Sequence, residues 1–176
     1  MRNLLAALLL PVTALAADAV LIDRIVAVVD LHAITRHDVE TRARELVPPG
    51  SDAAKLARAR EAALTALIED HLIAEDAEKA GVTVEAEDVD RALQSIAEIN
   101  HLSLEQLLAE AKQDGLEKDV YRAAVRRQLV EMKWVRLRAS QTKQPKEPAE
   151  YAAFMAKERT RLLAELKAKA SIEVRP

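Results

Sequence analysis

The sequence predicts a mainly α protein of about six helices, with a small β-sheet formed by an N-terminal hairpin and a C-terminal strand. Composition is the first reason. Half of the 176 residues are hydrophobic but only 2% are aromatic, with three glycines and no cysteine, so the core must be Ala, Leu, Val and Ile packed without disulfides, a mixture that favours long helices. The second reason is the three-and-four spacing of apolar residues through most of the chain. The third is that strand signals stand near its two ends, around Ile25–Val29 and at Ser171–Val174.

The elements follow in order. Residues 1–16 combine Arg2, an apolar run from Leu4 to Leu10 and small Ala14 and Ala16 at cleavage spacing, the pattern of a secretory signal peptide. Pro11 and the short apolar run argue against a membrane span, which leaves residues 17–176 as one domain with no stable membrane insertion after cleavage. Ile25, Val26, Val28 and Val29 suit a half-buried strand, Asp30-Leu31-His32 a turn, and Ala33-Ile34-Thr35 a returning strand. Thr35 and Asp38 have capping-box spacing for a first helix, Arg36 to Leu46, that stops before Pro48-Pro49-Gly50. Ser51 or Asp52 then caps a long second helix with an apolar stripe through Leu56, Ala63, Leu64, Leu67, Ile68, His71 and Leu72, closed by Gly81.

Val89, Leu93, Ile96 and Ala97 mark a third helix. Ser103 with Gln106 caps a fourth, which carries Leu104, Leu107, Leu108 and Ala111 and breaks at Gly115. A fifth helix spans about Glu117 to Ala139, residues 140–149 form a polar linker with two prolines, and a sixth helix runs from about Glu150 to Lys169. The lone strand at Ser171–Val174 is too short to stand alone, so it is expected to join the hairpin and tie the chain ends together.

In this order and spacing, the hairpin, the long helix through Leu64–Ile68, the Ala-Gly-Val-Thr-Val segment at Ala80–Val84, the short helix after Leu102-Ser103 and the Asp114-Gly115-Leu116 break before a helix with Tyr121 and Arg122 resemble a known domain. That domain is the N-terminal chaperone domain of the SurA family of periplasmic chaperones. The resemblance covers most of residues 22–139, and residues 148–174 are similar to the family's separate C-terminal helix and strand. It implies a periplasmic, ATP-independent holdase whose clients are unfolded exported polypeptides, outer-membrane proteins above all. In the family, parvulin prolyl isomerase domains are inserted at the position of the linker. Ten polar residues cannot hold a domain, which takes about 50, so no isomerase is expected.

Little else in the sequence suggests chemistry. His32, His37, His71 and His101 are dispersed, so no metal or other cofactor is expected, and His71 on an apolar stripe fits a partly buried packing role. Carboxylate pairs such as Glu69-Asp70 and Glu75-Asp76 fit a solvated helix face, and no serine lies in a nucleophile elbow. A formal charge of −3 with interspersed signs gives no support for nucleic-acid binding.

Binding is the remaining class. The fifth helix is apolar on two sides, with Tyr121, Val125, Leu129, Met132 and Val135 on one stripe and Ala123, Val130, Trp134 and Leu137 on the other, while Tyr151, Met155, Leu162 and Leu166 stripe the sixth. Either the Trp134 side is sandwiched between helices, or it is partly open and forms the wall of a client groove. On the second reading the client-binding residues are Val130, Met132, Trp134, Leu137, Tyr151 and Met155. The alternative to a holdase is a non-catalytic interaction or oligomerisation module with one dedicated partner, a second copy in a homodimer included.

Overall fold

A computed structural model describes residues 23–175, and the expected signal segment lies outside them. The described chain runs β1 (Ile25–Val29), β2 (His32–Thr35), α1 (Arg36–Leu46), α2 (Ala53–Lys79), α3 (Ala86–Ile99), α4 (Leu104–Gln113), α5 (Lys118–Ala139), α6 (Pro148–Lys169) and β3 (Ile172–Val174). This is the mainly α architecture that the composition and the periodicity predict.

The sheet has the order β2-β1-β3, with both pairings antiparallel. Alternation along β1 sends Ala27 and Val29 fully into the core, and the register shift between Ile25 and Ala27 is a bulge that bends the strand as it enters the sheet. The hairpin turn is shorter than the expected three residues. His32 already pairs with Val29, leaving Asp30 and Leu31 as the loop, with Asp30 at φ +53°. A two-residue loop matches the twist of the strands when its first residue takes a positive φ, and aspartate tolerates that conformation better than most side chains.

The expected tie between the chain ends is present. β3 pairs Ile172, Glu173 and Val174 with Val29, Val28 and Ala27. Asp30 locks the junction twice, donating its backbone N–H to Ser171 O at 2.8 Å and accepting Ser171 N–H on its carboxylate at 2.9 Å.

Helix ends obey local chemistry. Thr35 Oγ1 accepts from Asp38 N while Asp38 accepts from Thr35 N at 2.9 Å, and Ser103 and Gln106 reciprocate in the same way. Asp52, rather than Ser51, caps α2 by accepting from Lys55 N at 2.8 Å. Gly81, at φ +73°, closes that helix as Val82 N–H reaches back to Ala77 O. α6 starts two residues earlier than expected because Pro148 takes its first turn, where a missing N–H costs nothing; the linker shrinks to residues 140–147.

Buried side chains fall into three clusters. The first joins the sheet and α1 to α2, through Val29, Ile34, Val39, Ile68 and Leu72, and receives Leu166 and Ala170 from the end of α6. The second holds Ile73 and Ala77 of α2, Trp134 and Val135 of α5, and Leu162 and Leu163 of α6. The third packs α3 and α4 on the first half of α5 through Val89, Leu93, Leu107 and Val125.

Candidate functional site

α5 positions most of the candidate client-binding residues, and its neighbours decide which of them face solvent. Trp134 has no exposed surface. Its indole N–H donates to Asp76 of α2 at 2.7 Å, and Arg138 donates to the same carboxylate oxygen through Nε at 3.1 Å and Nη2 at 2.7 Å. Burial alone would raise the pKa of Asp76, but these donors outweigh it and hold the carboxyl below its ordinary value. Trp134 is thus sandwiched between α2 and α6 with no surface open to solvent, beside a cavity of about 330 Å³ that Arg138, Leu162 and Leu166 also line.

The other candidates do not share one wall. At 100° per residue, Met132 lies about 160° around α5 from Trp134. It is 48% exposed and borders a cavity of about 250 Å³ beside Ala66, Gln128 and Arg159. Val130 is half-buried and lines a different cavity, about 180 Å³, with Ile73 and Ala74. Leu137, 41% exposed, borders neither. On α6, Tyr151 and Met155 are half-buried, and Met155 packs on the Trp134 cluster. Phe154, which the sequence reading passed over, is half-buried with its ring centroid 6.4 Å from that of Tyr151. Its position next to Met155 in an otherwise aromatic-poor chain is the signal that could have found it. Solvent therefore meets this region as separate aliphatic points, Met132 and Leu137, with a partly covered aromatic pair on α6.

Between Met132 and the α1–α2 junction lies a partly buried ionic cluster. Glu45 of α1 accepts from Arg42 and from Arg127 of α5. Asp70 of α2 lies 3.2 Å from Arg42 Nη2 and 3.4 Å from Arg127 Nε. Burial raises the pKa of Asp70 despite both arginines. These ion pairs join α1, α2 and α5, although Asp70 Oδ2, Arg42 Nε and Arg127 Nε are buried without a hydrogen-bond partner.

His71 stacks on His32 across the α2–β2 contact, with centroids 4.2 Å apart and rings 13° from parallel. Burial and then the neighbouring imidazole lower its pKa. This fits the partly buried packing role expected for it. Among the described residues no group of three or more His, Asp or Glu side chains is arranged to hold a metal, and no helix is long and apolar enough to cross a membrane.

A helical body closed by a strand from the far end of the chain, with scattered exposed aliphatics, is the architecture of a SurA-like chaperone domain. A solved SurA-like chaperone from Campylobacter jejuni shares the fold, with a TM-score of 0.51 at 21% identity over 79% of this chain and 51% of that one. The chain belongs to the SurA N-terminal domain family, whose model matches residues 22–138. It is 35% identical over 119 residues to the chaperone SurA of Ralstonia nicotianae, covering 65% of this chain and 24% of the relative. It is 30% identical over 121 residues to that of Sodalis glossinidius, covering 66% and 28%. The chain thus spans about a quarter of the length of these curated relatives.

Proposed function

We propose that this protein is a periplasmic, ATP-independent holdase that shields apolar segments of unfolded exported polypeptides, outer-membrane proteins among them. The observation that carries this reading is the family match over residues 22–138, which takes in the hairpin, α1 to α4 and nearly all of α5. The matched family is the chaperone domain and not a parvulin isomerase, so the proposed activity is binding without covalent chemistry. Aliphatic contacts are non-directional, which suits weak binding of many sequences. Met132 and Leu137, exposed on different sides of α5, and the half-buried Tyr151, Phe154 and Met155 of α6 are the proposed contact points, offered separately rather than as one wall.

The test is aggregation of an unfolded outer-membrane barrel protein and of an unrelated unfolded protein, each diluted from denaturant with and without this chain. Suppression of both is the expected result, and a Met132→Glu, Leu137→Glu double variant should suppress less at an unchanged melting temperature. Suppression of neither would favour the reading as an interaction module with a single partner.

A further inference from the structure

Two cavities lie side by side along the face that α1 shares with α2. One, about 340 Å³, has Val26, Val39 and Leu64 among its lining. The other, about 460 Å³, is bordered by Val47, Pro49 and Leu56. Glu40 and Arg60 border both. Their ion pair, Arg60 Nε to Glu40 at 2.7 Å, lies where the two cavities meet, and together they form a groove that runs from the sheet to the α1–α2 loop. At the far end the wall is Pro49 against Gly115, an approach so close that a Cβ on Gly115 would sit 2.9 Å from Pro49 Cγ.

The groove is apolar below and cationic at the rim, in a chain whose net charge is −3. Arg24, Arg36, Arg44 and Arg60 border it, against Glu40, Glu61 and Asp114. Glu40 is already engaged by Arg60, whereas among the described residues Arg36 and Arg44 have no ion-pair partner. These two arginines are eight residues apart on one face of α1, about 12 Å at 1.5 Å per residue. In an extended chain, residues four apart on one side are separated by about 13 Å. The two spacings match.

We infer that the α1–α2 groove binds an extended polypeptide segment in which two carboxylates four residues apart meet Arg36 and Arg44 and the apolar residue midway between them, on the same side of the chain, faces the floor that includes Val39, Leu56 and Leu64. The inference rests on the client-binding reading above and gives it a charge preference. It also assigns a second contact surface, on the opposite side of α2 from the α5–α6 face.

The test is fluorescence anisotropy with the full chain and two labelled peptides, one with the core Asp-Ser-Leu-Ser-Asp and one with Lys-Ser-Leu-Ser-Lys, which place the leucine on the same side as the charges. The acidic peptide should bind roughly five- to tenfold more tightly at low salt, the yield of two exposed ion pairs over two repulsions. That advantage should fade at about 500 mM salt, where screening acts within a few ångströms. An Arg36→Glu, Arg44→Glu double variant changes exposed side chains only, so it should fold normally and reverse the preference. Equal binding of the two peptides, or a preference that the double variant leaves intact, overturns the groove. Self-association abolished by the double variant and not competed by the acidic peptide would make a second copy the occupant and also overturn it. If aggregation suppression survives either result, only the groove has failed; loss of suppression as well would remove the holdase reading beneath it.

Discussion

The end of the molecule that carries the sheet and the arm made by α3 and α4 are built from contacts of opposite range. In the arm, Val84, Val89, Leu93, Leu107 and Val125 pack within a short stretch of chain, and each helix begins on a cap supplied by its own first turn. At the sheet, Ala27 and Val29 meet a strand and a helix end from beyond residue 165, and Asp30 bonds Ser171 directly. Local contacts form at little loop-closure cost, while the closure must be reached across nearly the whole domain. The difference implies that the arm can lose order alone, whereas loss of the closure unseats α6 from both clusters that it serves.

The strongest way to break that distinction is at Trp134, where the second cluster meets α6. Trp134→Ala should destabilise the protein by about 3–5 kcal/mol, as expected for emptying an aromatic site in a core, and urea unfolding should show it as a lowered midpoint for the whole transition. Truncation after Lys169 comes next, at about 2–3 kcal/mol for the lost ladder and the Asp30–Ser171 pair. A truncated protein that melts at the temperature of the intact chain would mean that the sheet does not close the fold. Ser103→Ala should cost about 1 kcal/mol, the usual worth of a cap. Hydrogen exchange should localise that loss to α4, because the arm is held locally.

What could be read in advance follows the same division by range. Thr35 with Asp38, Ser103 with Gln106, Asp52 and Gly81 announce helix ends because each device lies within a few residues. The strand at Ser171–Val174 is legible because a lone strand needs a partner and the N-terminal hairpin offers one. The neighbours of α5 were not legible. Apolar stripes reveal that a helix has two faces, but Asp76 as the partner of Trp134, and the exposure of Met132 and Leu137, depend on how α2, α5 and α6 are rotated against one another. Buried Glu158 was equally hidden, since its acceptability depends on a salt bridge from Arg161. The groove on α1 left one unread trace, Arg36, Glu40 and Arg44 at four-residue spacing; read alone, it looks like any solvated face.

The smallest effect sharpens the comparison within a single helix, because Asp70 and Asp76 of α2 are shifted in opposite directions. Burial raises the Asp70 pKa, so the folded state takes up its proton more readily than the unfolded chain does. The contribution of Asp70 is therefore full below the ordinary carboxylate pKa and is lost as pH rises through the raised value. Asp76 is the reverse. Burial opposes its charge, but the bonds from Trp134 and Arg138 prevail, so its contribution is present above the ordinary carboxylate pKa and is lost as pH falls through the lowered value. Asp76→Asn keeps an acceptor for the indole but loses the charge that Arg138 seeks, and should cost about 1 kcal/mol at neutral pH while flattening the acid limb of the stability curve. Asp70→Asn should cost less than that at neutral pH, since Glu45 still accepts from both Arg42 and Arg127. Urea midpoints for the two variants between about pH 3 and pH 7 would show the contrast. If both variants follow the parent curve at a constant offset, neither carboxylate is linked to folding, and the hydrogen bonds to Asp76 hold Trp134 in place without the help of its charge.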